Sequence, residues 1–179
     1  MRLNKRKKVT FLLSGGGSNL YKILKTNLTS KKFITLSIIS NNQVSKQIKE
    51  LIKLNELEIK IYEKVSNLKT RFMGDCDVVF SVGYLKKIET EIINNFEIIN
   101  LHPSLLPKYK GLMTHKRMLI NNEINYGYSI HKVTKYLDDG EILSQNQKKV
   151  STSNETELIT DHKHLEHQKV FKDLVNFLN

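Results

Sequence analysis

Asn100 and His102 stand two residues apart in the stretch NLHPSLLPKYKG, residues 100–111. On an extended strand that spacing sends both side chains from one face, and Pro103 keeps His102 extended. An Asn amide can donate to an oxyanion and a His can move a proton near neutral pH, so the two together suit acyl transfer. A His and an Asn satisfied within a strand-end turn are the bland alternative. A second His and two carboxylates follow in SIHKVTKYLDDGEI, residues 129–142, where Asp138 and Asp139 precede Gly140 in a turn. One of those carboxylates could orient His102, although LDDG by itself is also an ordinary loop.

A third chemical element is SGGGSNL, residues 14–20. Small residues between a strand and a helix let backbone N–H groups approach an anion at the positive helix end. It is not a dinucleotide fingerprint, because Leu20 occupies the third glycine position, and it lacks the Gly-Lys-Ser/Thr ending of a nucleotide triphosphate loop. A tight strand-to-helix turn would use the same glycines. Cys76 is alone, which excludes a disulfide framework or a cysteine zinc site. His115, His131, His162, His164 and His167 form no ligand pattern, and His162 and His164 diverge on a helix, so no metal is expected.

The elements that must position these residues read as alternating apolar strands and amphipathic helices. Residues 9–13, 33–40, 58–63, 77–83 and 97–102 read as strands, mostly apolar on both faces as buried parallel strands are. Residues 19–27, 45–55, 66–72 and 86–96 read as crossover helices. Residues 114–123 look helical, 126–150 alternate and turn like a strand pair, and Asn154 with Glu157 opens a last helix carrying Leu158, Leu165 and Leu174. The expected fold is α/β, a doubly wound, mostly parallel, Rossmann-like sheet in one domain over residues 1–179. Ligands in such sheets sit beyond the carboxyl ends of the strands, which brings the glycine loop and His102 to one cleft.

The 179 residues suffice for one domain with a real core. The formal net charge of +11 would suit nucleic acid, an acidic membrane surface or a small anion. The lysines are dispersed, however, and only Arg2, Lys5, Arg6, Lys7 and Lys8 cluster, which reads as a basic, flexible terminus over residues 1–8. Without an aromatic platform or a binding fold, a nucleic-acid module is a remote alternative. No apolar run approaches the length of a membrane span, so neither a nucleic acid nor a membrane is expected as partner, and the location expected is cytoplasmic.

In order and spacing these stretches resemble the folate-dependent formyltransferases, and within them the branch that formylates glycinamide ribonucleotide in purine biosynthesis. The resemblance runs through VTFLLSGGGSNLYKIL, SIISNN, SVGYLKKI, NLHPSLLPKYKG, THKRML, SIHKVTKYLDDGEIL and LEHQ. It implies Asn100, His102 and Asp138 as the catalytic trio. It implies further that Gly17, Ser18 and Asn19 hold the substrate phosphate, that Glu166 contacts the glycinamide, and that Leu85, Lys86 and Ile88 contact the folate. The co-substrate implied is 10-formyltetrahydrofolate and the acceptor a phosphorylated small-molecule amine, without metal, in a monomer or homodimer.

Several positions depart from the family pattern: Gly16 stands where Asn is common, Lys110 for Pro, Met113 for His, Asp139 for Gly and Lys163 for Gln, and residues 64–75 look trimmed. The doubled aspartate also resembles the loop of formyltetrahydrofolate hydrolases, and sugar-nucleotide N-formyltransferases share the trio. Methionyl-tRNA formyltransferases would use the positive charge but need an RNA-binding domain.

Overall fold

A computed structural model describes residues 5–179. Arg2 of the basic cluster lies outside the described residues. The strands are β1 (Lys8–Leu13), β2 (Ile34–Ser40), β3 (Lys60–Tyr62), β4 (Val78–Ser81), β5 (Ile98–His102), β6 (Asn125–Lys132) and β7 (Ile142–Lys149). The helices are α1 (Ser18–Ser30), α2 (Lys46–Leu54), α3 (Thr70–Met73), α4 (Thr90–Asn95), α5 (Thr114–Ile120) and α6 (Glu155–Leu178). One seven-stranded sheet runs β3-β2-β1-β4-β5-β6-β7. The first five strands pair in parallel, and β6 and β7 are antiparallel.

Period-two alternation divides the strand residues between two cores, as a sheet covered on both faces requires. Val9, Phe11, Leu13, Phe80, Ile99 and Leu101 face one core, where α1, α2 and α6 contribute Leu20, Ile23, Ile48, Leu165 and Leu174. Leu12, Ile39, Val79 and Ile98 face the other, with Met73, Ile88 and Ile92. The thinner second layer explains why the expected helices at 66–72 and 86–96 shrink to the short α3 and α4, and why the strand at 58–63 shortens to β3. A helix covering little apolar surface has little tertiary packing to hold it.

The basic terminus expected over residues 1–8 gives way to sheet at its end. Lys8 opens β1 and pairs with Asp75, the Lys7 carbonyl accepts from Ile34 N–H at 2.9 Å, and Lys7 Nζ lies 3.8 Å from Asp77. Lys7 and Lys8 are therefore part of the fold rather than free chain.

Asn154 caps α6 as expected, its side chain accepting from the N–H groups of Thr156 and Glu157. A buried polar link then fixes α6 against the antiparallel pair. Tyr128 Oη on β6 donates to Asp173 Oδ2 at 2.6 Å, and Asn146 on β7 donates to the same oxygen at 2.7 Å. That register places Glu166, about two turns earlier, beside Asn19 in the first turn of α1. Among the described residues no helix is long and apolar enough to cross a membrane.

Candidate active site

The chain order reverses between β1 and β4, so the loops after those strands and after β5 open outward around one crevice. β5 delivers Asn100 and His102 there, and the antiparallel partner β6 sets His131 directly opposite Asn100. His131 Nδ1 lies 2.9 Å from the Lys132 carbonyl and donates to it, which leaves Nε2 to accept from Asn100 Nδ2 at 3.1 Å. The second N–H of the Asn100 amide is uncommitted among the hydrogen bonds found. Asp138 completes the cluster: Oδ2 lies 3.3 Å from His102 Nδ1, and Oδ1 lies 3.5 Å from His131 Nε2.

Asp138 is held by its backbone as well as its partners. Its φ of 46° is left-handed, a conformation Asp tolerates better than most residues. Its Oδ2 accepts from Gly111 N–H at 2.8 Å, which ties the Asp138 loop to the segment after His102. Burial works against its charge, but the facing His131 ring, the Gly111 N–H and the nearby His102 outweigh burial and lower its pKa. Asp138 is therefore an anion at neutral pH.

His102 shows the opposite balance. Burial lowers its pKa, and the Tyr109 carbonyl and the Asp138 charge oppose burial without overcoming it. Its Nε2 lies 2.9 Å from the Tyr109 carbonyl and its Nδ1 faces Asp138. A neutral ring donates to only one of these acceptors, whereas an imidazolium donates to both. The ring thus rests neutral with two acceptors waiting, which is the condition of a base about to receive a proton.

At the rim, Lys110 pairs with Asp139. These are two of the departures noted in the sequence, and the structure shows them as partners: the charge introduced at one loop meets the charge introduced at the other. Asp139 is thereby turned to Lys110 on the exposed rim rather than toward His102.

The glycine loop lies across the crevice. Gly17 precedes α1 at φ 72° and ψ 34°, and a Cβ there would lie 2.8 Å from Ile48 Cδ1 and 3.0 Å from Leu13 Cδ1. Only glycine meets both demands. Gly15 and Gly16 are exposed, with open space where a Cβ would stand, and Ser18 is exposed at the first turn, which has no side-chain cap. Amides so placed at the start of a helix are positioned as an anion would need them.

Asn19 turns inward from that seat. Its Nδ2 donates to Glu166 Oε2 at 2.8 Å, which turns the side-chain amide toward α6. Burial pushes the Glu166 carboxyl up to about 7, against the Asn19 bond and the Lys163 charge that pull it down. Glu166 Oε1 lies 3.7 Å from His162 Nε2, and His162 Nδ1 lies 2.7 Å from His115 Nε2. These groups line a cleft of about 200 Å³ that extends to Gly83 and to Leu101 and Pro103, the neighbours of His102.

The loop after β4 carries the residues expected to meet a folate. Ser14 N–H donates to the Gly83 carbonyl at 3.0 Å and Leu85 N–H to Ser14 Oγ at 2.8 Å, tying this loop to the glycine loop. Leu85 and Lys86 are exposed, and Lys86 Nζ reaches the Ser66 carbonyl at 3.2 Å. Ile88 is different: it is buried in the second core beside Ile92 and Ile98, where its side chain supports the loop from beneath.

The structure therefore brings Asn100, His102 and Asp138 together, and Gly17, Ser18, Asn19 and Glu166 on the neighbouring wall. Sequence reasoning left His131 without a role and missed the His115–His162 pair and the Gly111 amide. Only the cross-strand register reveals the first, and only tertiary convergence of α5 with α6 reveals the second. Among the described residues no three His, Cys, Asp or Glu side chains gather as a metal-ligand set.

The family profile described as formyl transferase matches residues 7–175. The chain is 28% identical over 149 residues to a phosphoribosylglycinamide formyltransferase of Escherichia coli, covering 76% of this chain and 70% of that protein. It is 30% identical over 159 residues to the chloroplastic phosphoribosylglycinamide formyltransferase of Vigna unguiculata, covering 79% of this chain and about half, 51%, of that protein. Among solved structures, the phosphoribosylglycinamide formyltransferase of Coxiella burnetii superposes with a TM-score of 0.81 at 25% identity, over 97% of this chain and 88% of that one.

Proposed function

This chain belongs to the formyl transferase family and is an enzyme of that class, and from that premise we propose that it moves the formyl group of 10-formyltetrahydrofolate onto the amine of 5-phosphoribosylglycinamide in purine biosynthesis. The observation that carries this reading is the meeting, in one crevice, of an acyl-transfer cluster at Asn100, His102 and Asp138 with an anion seat at Gly17 and Ser18. An acceptor fixed by its phosphate is aligned for attack, and alignment supplies much of the rate for a two-substrate transfer.

The phosphate sits on the first-turn amides of α1, the amine reaches the neighbourhood of Glu166, and the folate lies along Leu85 and Lys86 with its formyl carbon toward Asn100. As the amine attacks, the free N–H of the Asn100 amide donates to the oxyanion. His102, neutral at rest with Nδ1 toward Asp138, turns Nε2 from the Tyr109 carbonyl to accept the amine proton and becomes an imidazolium whose charge Asp138 balances. It then gives that proton to the departing folate nitrogen, so one residue serves as base and acid. The folate form, the acceptor and a cytoplasmic location all belong to this proposal.

Hydrolysis of the formyl folate is the competing outcome that the Asp138–Asp139 doublet raised. The pairing of Asp139 with Lys110 supports transfer instead, because it removes the second carboxylate from the attack site. The test is incubation with both substrates, following deformylated folate and formylated ribonucleotide together. Equal yields with no deformylation in the absence of acceptor are expected, and rapid deformylation without acceptor would establish hydrolysis.

A further inference from the structure

Four side chains from three helices form a line of which the proposed formyl transfer uses only Glu166, as the docking place of the amine. Asn19 on α1 holds Glu166 on α6 at 2.8 Å, Glu166 lies 3.7 Å from His162 one turn earlier, and His162 meets His115 on α5 at 2.7 Å. His162 is 1% exposed and Glu166 7%, and His162 Nε2, on the cleft wall, has no hydrogen-bond partner. His115 is only half-buried. The line therefore starts at the buried place proposed for the amine and ends near solvent.

The chemistry of the acceptor says what such a line can do. A primary amine next to a carbonyl is largely ammonium near neutral pH, with a pKa of about 8 like an α-amino group. An ammonium has no lone pair and cannot attack. The proton that His102 carries to the folate nitrogen is the one released after attack, so it does not solve this earlier problem. One proton must leave the acceptor before the formyl transfer begins.

We propose that Glu166, His162 and His115 form a second proton-handling unit, which takes the extra proton of the substrate ammonium and releases it at the rim of the cleft. The proposal rests on the reading that the amine docks at Glu166. An N–H bond of the ammonium breaks, its electron pair stays on nitrogen as the attacking lone pair, and the proton joins the Glu166 carboxylate. The carboxyl hydrogen passes to His162 Nε2, the hydrogen on His162 Nδ1 passes to His115 Nε2, and His115 Nδ1 yields a proton to water. One proton enters and one leaves, no oxidant is involved, and each ring exchanges the nitrogen that carries its hydrogen. Glu166 touches the substrate, while His162 and His115 act through it.

The surroundings suit this traffic. Burial holds Glu166 near 7, so it both accepts and gives up a proton at neutral pH. Burial and the neighbouring His115 and His102 push His162 down to about 3, so the ring passes protons without keeping a charge. Lys163 faces Glu166 and His115 and favours discharge, Glu155 stands on the His115 side, and the Tyr126 ring lies 5.6 Å from His162. The carboxylate that faces His162 is Glu166, with Oε1 3.7 Å from Nε2.

The test is the pH profile of kcat/KM for the amine in the wild type, His162→Leu and His162→Gln. Gln retains a donor toward Glu166 but has no ring to hand a proton onward. Both variants should lose about tenfold or more near pH 6.5 and come within about threefold of wild type near pH 9, where the amine arrives neutral. An equal loss at every pH, or full activity of His162→Gln at low pH, would overturn the proposal and leave His162 a structural residue. Ring-nitrogen NMR of the free protein judges the unit even if the wild type formylates no amine, which would refute the proposed reaction instead. Glu166→Gln should then shift the tautomer balance of His162, and an unchanged His162 would overturn the relay.

Discussion

Replacing Asp138 by Asn removes the one anion of the proposed catalytic cluster while keeping its shape. Asp138 Oδ2 lies 3.3 Å from His102 Nδ1, and both side chains are about nine-tenths buried. Unit charges at that separation attract by about 5 kcal/mol at an effective dielectric near 20. His102 is neutral at rest, so this attraction develops only as the ring takes the amine proton, and it acts on the barrier rather than on substrate binding. With about half of the charge formed at the transition state, the barrier rises by roughly 2.5 to 3 kcal/mol, or about a hundredfold in kcat. The Asn carbonyl oxygen can still accept the Gly111 N–H that closes the loop, so the fold should persist. Steady-state formyl transfer at saturating folate and acceptor, with thermal melts alongside, measures both parts. An Asp138→Asn enzyme within about fivefold of wild type in kcat would refute the role of the carboxylate in stabilising a charged His102.

Gly17→Ala combines a left-handed backbone with a Cβ set 2.8 Å from Ile48 Cδ1, and should destabilise the fold by about 3 kcal/mol in urea unfolding; a loss under about 1 kcal/mol would contradict the strained-turn argument. Acid should weaken the protein, because burial lowers the pKa values of His102, His115, His162 and His167 in the folded state. The unfolded chain then binds protons that the folded chain refuses, and stability falls as pH drops below the unfolded value of about 6.5. His162 alone, with its folded value about 3, contributes about 1.4 kcal/mol per pH unit across that window. Glu166 opposes it between about 4.5 and 7, where its raised pKa makes stability fall as pH rises. Urea midpoints read from pH 7 to pH 5 should still decline, since four groups outweigh one, and a flat profile would refute the assignment.

The sheet was legible because buried parallel strands carry apolar residues on both faces, so VTFLL and DVVFSVG announce themselves without knowledge of their neighbours. The shared placement of Asn100 and His102 was legible for a related reason: they lie on one strand, and the period of two fixes their common face. What stayed hidden depends on contacts between elements. His131 acquires its meaning from standing opposite Asn100, a register that depends on how β6 returns beside β5. The Tyr109 carbonyl reaches His102 only because residues 103–111 fold back over β5. Asn19 reads as an anion ligand by its place after the glycines, yet the buried Glu166 carboxylate attracts its amide across 147 residues of chain. Ile88 reads as a folate contact and as part of a helix from Lys86, whereas α4 begins only at Thr90 and Ile88 packs as core beneath the loop.

A single physical influence runs through the whole crevice: burial disfavours charge, and it moves each group toward its neutral form. His102 and His162 lose affinity for protons, and Glu166 gains it. Asp138 is the exception, because the Gly111 amide and two imidazoles keep it ionised. The same influence must act on a substrate ammonium brought into the cleft, favouring the neutral amine that can attack. Asp138 then stands as a fixed charge where positive charge next develops, on His102. The proposed transfer first strips a proton from the acceptor and afterwards stabilises one on the base, and so needs groups of both kinds. In the proposed transfer Glu166 on α6, which shares a cleft with Leu101 and Pro103, serves the first need, and Asp138 in the loop before β7, 3.3 Å from His102, serves the second.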